Sequence, residues 1–131
     1  MSIRKNISVA LAALSVTACA YAAPVSFSKD LAPVLSARCA MCHATGTEGG
    51  GISLAPSKAY ANLVGVQATE SPAMARVKAG DPDASYLIRK LDGTQAKAGG
   101  HGAQMPFGGP YLDKPTIDAF RAWVQEGARN N

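Results

Sequence analysis

The sequence predicts an all-α fold. Apolar side chains recur at intervals of three and four in several segments, some of them opened by capping residues or proline. No stretch keeps up the two-residue alternation of a half-buried strand. Long connections rich in glycine separate the helical segments, and there is no internal repeat.

The first helix is expected in "VSFSKDLAPVLSARCAMCH", with Phe27, Leu31, Val34 and Leu35 on one side and Ser26 or Ser28 as N-cap. Pro33 fits if the regular helix begins at or after Asp30, because its missing N–H then falls among first-turn donors that have no partner anyway. "ATGTEGGGISLAPS" reads as loop. A short helix follows over "SKAYANLV", presenting Tyr60, Leu63 and Val64. In "GDPDASYLIRKL" Asp81 is the expected cap, with Pro82 at the first helical position and Asp83 at the positive end of the dipole. Tyr86, Leu87 and Leu91 supply its inward face. "DGTQAKAGGHGAQMPFGGPY" has too much glycine for a helix or a central strand. The closing helix lies in "LDKPTIDAFRAWVQEGARN": Asp113 caps it, Pro115 sits in its first turn, and Ile117, Phe120 and Val124 form its stripe. Trp123 lies beside that stripe and Gly127 stops the helix. Helices joined through such loops leave the middle of the domain for something other than side chains to fill.

The first 22 of the 131 residues read as a leader rather than part of the fold. Arg4 and Lys5 precede an apolar run, Ile7 to Ala18, that ends in small residues. This is the layout of a secretory signal peptide, too short to span a membrane. Cleavage after Ala22 leaves a domain at 23–131. A second reading competes, because "VTAC" also fits the site at which exported lipoproteins are cut, with Cys19 then acylated as a lipid anchor. The small-x-small site is the preferred one, and the expected location is the periplasm. Of the 13 basic side chains, Arg4 and Lys5 leave with the leader, which takes the formal charge from +4 to +2. The remaining positives are scattered, so neither a nucleic-acid-binding patch nor a polybasic membrane segment is expected.

With Cys19 gone, two cysteines remain, both in "CAMCH" (Cys39 to His43). Three chemistries compete for this motif. A dithiol switch belongs at the start of a helix, usually after a strand, whereas here the pair follows a helix. A structural zinc site needs about four N or S donors. Cys39, Cys42 and His43 give three, adjacent Cys42 and His43 are awkward on one tetrahedral centre, and the fourth would have to be His101. The pattern C-x-x-C-H is instead specific for c-type haem attachment. Thiols three positions apart can each add to a vinyl group on one edge of the porphyrin. The next side chain, His43, is then directed under the iron as its proximal ligand. Export agrees with this, because attachment to the motif takes place outside the bacterial cytoplasm.

Taken with "GDPDASYL", "MPFGGPYL" and "IDAFRAWVQEGA", the motif makes the chain resemble monohaem c-type cytochromes of the small class I type. The likeness runs over nearly all of 23–131; CAMCH and the Met-Pro pair are its specific elements. It implies the class I cytochrome c fold, helices and glycine-rich loops wrapped around one covalent haem c. It also places the distal iron ligand at Met105. Of the other methionines, Met41 lies inside the attachment loop, and Met74 reads equally well as packing. His101, four residues before Met105, is the alternative ligand. Its plainer reading is an exposed loop histidine. Glycine around both leaves room for a ligand swap at high pH or on oxidation.

Around the haem, His43 is expected to donate its other ring N–H to a carbonyl of the "GISLAPS" loop, near Pro56. Tyr60, Tyr86, Trp123 and Arg89 are candidates to meet the propionates or to wall the pocket, against plain core packing. Leu35, Ile52, Leu54, Leu63, Leu87, Leu91, Phe107 and Phe120 are the expected apolar shell. The function implied is single-electron transfer between redox proteins with no substrate transformed, as a free carrier or as a subunit of a periplasmic dehydrogenase or oxidase complex. The rival is a haem protein with an open or labile sixth position, acting as a gas sensor or peroxidase-like enzyme, although no distal acid–base constellation is visible.

Overall fold

A computed structural model describes residues 23–131. The expected leader, with the Cys19 lipidation site, lies outside the described residues. Within them every regular element is helical, as the spacing predicts. No strand forms, and only three isolated bridges occur: Val64 with Val77, Gln67 with Ala75, and Ala75 with Ser85.

The chain enters through a π-helical turn, Phe27–Leu31, that runs into α1, Ala32–Arg38. Ser26 is the cap, its hydroxyl accepting from the Lys29 N–H. The wide turn has a local cause. Pro33 has no N–H to offer the Lys29 carbonyl, and Ala32 reaches back five residues, to Phe27. A short α2, Ala59–Leu63, and α3, Tyr86–Asp92, follow. The last helix, α4, Lys114–Gln125, is capped by Asp113, whose carboxylate accepts from the Thr116 N–H at 3.1 Å. Its chain reverses at Gly127, where φ is +101°.

One boundary differs from expectation. Asp81 does not cap α3; its carboxylate closes a separate turn by accepting from the Ala84 N–H. Ser85 is extended and acts as the N-cap residue, because the chain there is pinned to another segment: Tyr86 N–H donates to the Ala75 carbonyl and Leu87 N–H to that of Arg76. The Ser85 hydroxyl is spent accepting from Lys78 N–H and donating to the Asp81 carbonyl. Tertiary pairing thus outweighs the helix-start signal in "DPD".

The core is built where the first and last helical segments meet. Phe27, Leu31 and Leu35 pack with Phe120, Trp123 and Val124, joined by Leu54, Leu63, Val77, Ile88 and Leu91. Phe27 and Trp123 lie with ring centroids 5.2 Å apart, and Tyr60 meets Phe27 edge-on at 5.3 Å. Asn131 ties the ends together, its side-chain carbonyl accepting from Phe27 N–H and its main-chain carbonyl from Ser28 N–H. No helix among the described residues is long and apolar enough to cross a membrane.

Candidate functional site

The C-A-M-C-H segment forms a turn at the end of α1. Cys39 N–H still donates to the Leu35 carbonyl, and both Cys42 and His43 N–H return to the Cys39 carbonyl. The turn leaves Cys39 half-buried against the core and Cys42 exposed. The two thiols are not bonded to each other. Burial pushes the Cys39 thiol up to about 11, with the Arg38 charge opposing and Cys42 adding to the rise. This is no activated nucleophile.

His43 is held from behind, its carbonyl accepting from Leu54 N–H at 2.7 Å. Ser53 Oγ donates to the next carbonyl, that of Ala44, at 2.6 Å. The ring is another matter. His43 Nδ1 is buried and has no hydrogen-bond partner. The expected bond to a carbonyl of "GISLAPS" is not formed; the Ser53 carbonyl is already taken by Asn62 Nδ2 at 2.9 Å, and Pro56 is exposed. A buried imidazole nitrogen without a partner costs free energy and calls for an explanation.

The zinc arrangement does not arise. No group of three or more His, Cys, Asp or Glu side chains among the described residues is placed to hold a metal ion. Met105 is half-buried and packs on the same core cluster as Cys39. Its N–H donates to the Lys90 carbonyl at 2.9 Å. His101 is exposed over 75% of its side chain, with Nδ1 3.9 Å from Glu70 Oε1. The end of α1, next to Cys39, and the Met105 loop are tied directly, Arg38 donating to the Pro110 carbonyl at 2.5 Å.

The residues proposed to meet propionates are all committed elsewhere. Tyr60 Oη donates to the Ala128 carbonyl, Trp123 Nε1 to that of Arg129, and Arg89 to that of Asp83. Tyr86 Oη turns toward Glu70 and the His101 carbonyl. The plainer reading, core packing with a satisfied polar end, describes Tyr60 and Trp123. Of the expected apolar shell, Leu35, Leu54, Leu63, Leu91 and Phe120 are buried, and Ile52 and Leu87 pack on them. Phe107 is the exception at 76% exposed; glycines at 108 and 109 carry its loop away from the core. A cleft of about 560 Å³ opens between α3 and α4, lined by Arg89, Thr94, Leu112, Ile117 and Arg121 among others. None of Cys39, Cys42, His43 and Met105 lines it.

Three groups escaped the sequence reading. Arg38 ties the end of α1 to the loop that bears Met105, Arg76 is buried beneath the triglycine segment, and Glu70 pairs with Lys90 at 2.8 Å. Only the last had a visible signal, the glycines on either side of His101, whose lack of Cβ admits close neighbours. No protein-family model, curated protein or solved structure matches the chain.

Proposed function

We propose that the chain is an exported, periplasmic monohaem c-type cytochrome of the small class I fold that relays single electrons between redox proteins. Cys39 and Cys42 would hold haem c through thioethers, and His43 and Met105 would be its axial ligands. The observation that carries this reading is the His43 imidazole, with a buried nitrogen lacking any protein partner, directly behind two unbonded thiols. A metal bound at Nδ1 would satisfy this buried nitrogen, which has no hydrogen-bond partner. The bond from Arg38, next to Cys39, to the Pro110 carbonyl at 2.5 Å links the two loops and supports their pairing around a common group.

When bound, haem c supplies a one-electron Fe(II)/Fe(III) couple. The chain's own part is to fix and insulate it. The Leu54 N–H fixes the His43 backbone, while Leu54, Ile52 and Leu35 exclude water. A Met105 thioether favours a high potential and electron transfer over uptake of small ligands. No substrate site is required, and partners would dock transiently.

The test is the optical spectrum of the protein secreted by a host competent in haem attachment. The expected result is one covalent haem, a far-red sulfur-to-iron band in the ferric state and slow cyanide binding. Met105→Ala should lose the band and bind cyanide rapidly. Colourless secreted protein with both thiols free or joined as a disulfide would refute the reading.

A further inference from the structure

We propose that Glu70, Lys90 and Tyr86 form a clasp that holds the main chain at His101 against α3 and thereby selects Met105, not His101, as the second axial ligand. The inference rests on the cytochrome reading above and deepens it, since the glycine-rich loop offers two ligands four residues apart and the protein must choose.

The loop is fastened to α3 and the turn after it at successive residues. Gly100 N–H donates to the Gln95 carbonyl at 2.9 Å. The His101 carbonyl accepts from both Tyr86 Oη and Lys90 Nζ, each at 3.2 Å. Gln95 Nε2 donates to the Gly102 carbonyl at 2.9 Å, and Gln104 Nε2 to that of Leu91 at 2.8 Å. Met105 N–H closes the series on the Lys90 carbonyl. Lys90 therefore holds the loop twice, with its side chain at His101 and its main chain at Met105.

Two members of the clasp are buried and the third, Glu70, is half-buried. Lys90 is 8% exposed and Tyr86 5%. Glu70 Oε2 accepts from Lys90 Nζ at 2.8 Å and so aims the ammonium at the His101 carbonyl, while the single Tyr86 hydroxyl proton is shared between Glu70 Oε2 at 3.1 Å and that carbonyl. Without Glu70 the Lys90 ammonium would be buried unpaired, which forces it to move. The loop must also come close. A Cβ at Gly100 would lie 2.3 Å from Tyr86 Oη, and one at Gly102 would lie 2.9 Å from Glu70 Oε1 and 3.0 Å from Lys90 Nζ. Glycine on both sides of His101 serves this close approach. With its backbone so fixed, the His101 imidazole stays in solvent beside Glu70 while Met105 packs on the core.

Glu70, Lys90 and Tyr86 are thus positioning residues, and ligand identity in the secreted holoprotein tests them. In Glu70→Ala the freed loop should let the iron–sulfur bond give way to an iron–nitrogen bond from His101, with no change in oxidation state. We expect ~10-fold or more redistribution, the scale set by removing one buried hydrogen bond. It would be read as loss of the far-red band, a bis-histidine electron paramagnetic resonance signature and a lower potential. Adding His101→Ala to Glu70→Ala should abolish the bis-histidine signature, which a general loosening of the fold would not require. Tyr86→Phe, a milder change, should move the same signals part of the way, and serves if Glu70→Ala fails to fold. Parent protein with a sulfur band that both Glu70→Ala and Tyr86→Phe retain unaltered overturns the clasp alone. Parent protein without haem overturns the cytochrome reading and the clasp with it.

Discussion

Arg38 Nη2 lies 2.5 Å from the Pro110 carbonyl oxygen, so the last residue of α1 is bonded to the far end of the Met-Pro-Phe-Gly-Gly-Pro loop. The bond joins positions 72 apart in sequence and directly couples the segment bearing Cys39, Cys42 and His43 to the segment bearing Met105. Arg38 is exposed, so its contribution to global stability should be about 1 kcal/mol or less. Its effect should fall on the loop instead. On the proposed cytochrome reading, Arg38→Ala is expected to leave covalent haem attachment and the melting temperature nearly unchanged while raising the rate of cyanide binding to the ferric protein several-fold. Stopped-flow spectroscopy against the parent protein checks this, and unchanged cyanide kinetics would show that the tie does not hold the Met105 loop.

Steric contact makes a sharper case at Gly100. Its Cβ, if present, would stand 2.3 Å from Tyr86 Oη and 2.5 Å from Tyr86 Cε2, closer than side-chain packing allows. Gly49, in the triglycine segment, has nothing within 4 Å of the same position and does not sit at positive φ. Gly100→Ala should therefore destabilise the domain by ~1–3 kcal/mol, as overpacking does, with Gly49→Ala close to neutral. Urea denaturation of the two variants decides it.

Much of the frame is legible from local chemistry. Ser26 and Asp113 cap the helices they were expected to cap, Gly127 ends α4, and the Phe27, Leu31, Leu35 and Phe120, Val124 stripes meet. The caps, the stop and each stripe depend on neighbours within four residues, which a single sequence displays; that the two stripes meet does not. What stays hidden is nonlocal. The start of α3 moves to Tyr86 because residues 85–87 pair with 75 and 76, and nothing in "GDPDAS" announces that partner. Lys90 reads as a polar member of an amphipathic helix, yet it is buried because Glu70, twenty residues earlier, meets it. At the candidate site, the C-x-x-C-H spacing on which the haem proposal rests is visible in the sequence, whereas the bond from its neighbour Arg38 to Pro110 is not.

Arg76 gives the third prediction. It is buried, pairs with no carboxylate among the described residues, and donates to the Asn62, Gly50 and Gly51 carbonyls at 3.0, 3.1 and 3.0 Å. One guanidinium thus links the end of α2 to the triglycine loop that follows His43. Removing it takes a donor from all three carbonyls, of which that of Gly50 keeps the Thr69 hydroxyl at 2.8 Å. Arg76→Met, which keeps most of the aliphatic stem, should cost ~2–4 kcal/mol, since bonds from a charged group are worth more than neutral ones. Arg76→Lys should recover only part, because an ammonium cannot reproduce the fork. In urea denaturation, a loss well under about 1 kcal/mol in Arg76→Met would show that the loop finds other donors.

The same loop supplies a pH dependence with a definite sign. The Glu48 carboxylate is held down to about 2 from its ordinary 4.5 by backbone N–H groups, its own first, then those of Thr45 and Gly46, with the Thr45 hydroxyl adding to them. Gly46 N–H donates to it at 2.8 Å and Thr45 Oγ1 at 2.9 Å. Because the folded form binds its proton later than the unfolded chain, folding is favoured by this group above pH 4.5. That contribution drains away as pH falls toward 2. Above 4.5 both forms are ionised and the slope vanishes. Glu48→Gln keeps the shape and one acceptor oxygen but cannot titrate. Its melting temperature should accordingly fall less steeply than the parent's between pH 4.5 and 2. A residual slope should remain from Asp81 and Asp113, whose carboxyls are also held below their usual range, by the Lys78 ammonium and by Thr116 respectively. Parallel melting curves for the two proteins across that window would mean that the Glu48 turn opens before its carboxylate is protonated.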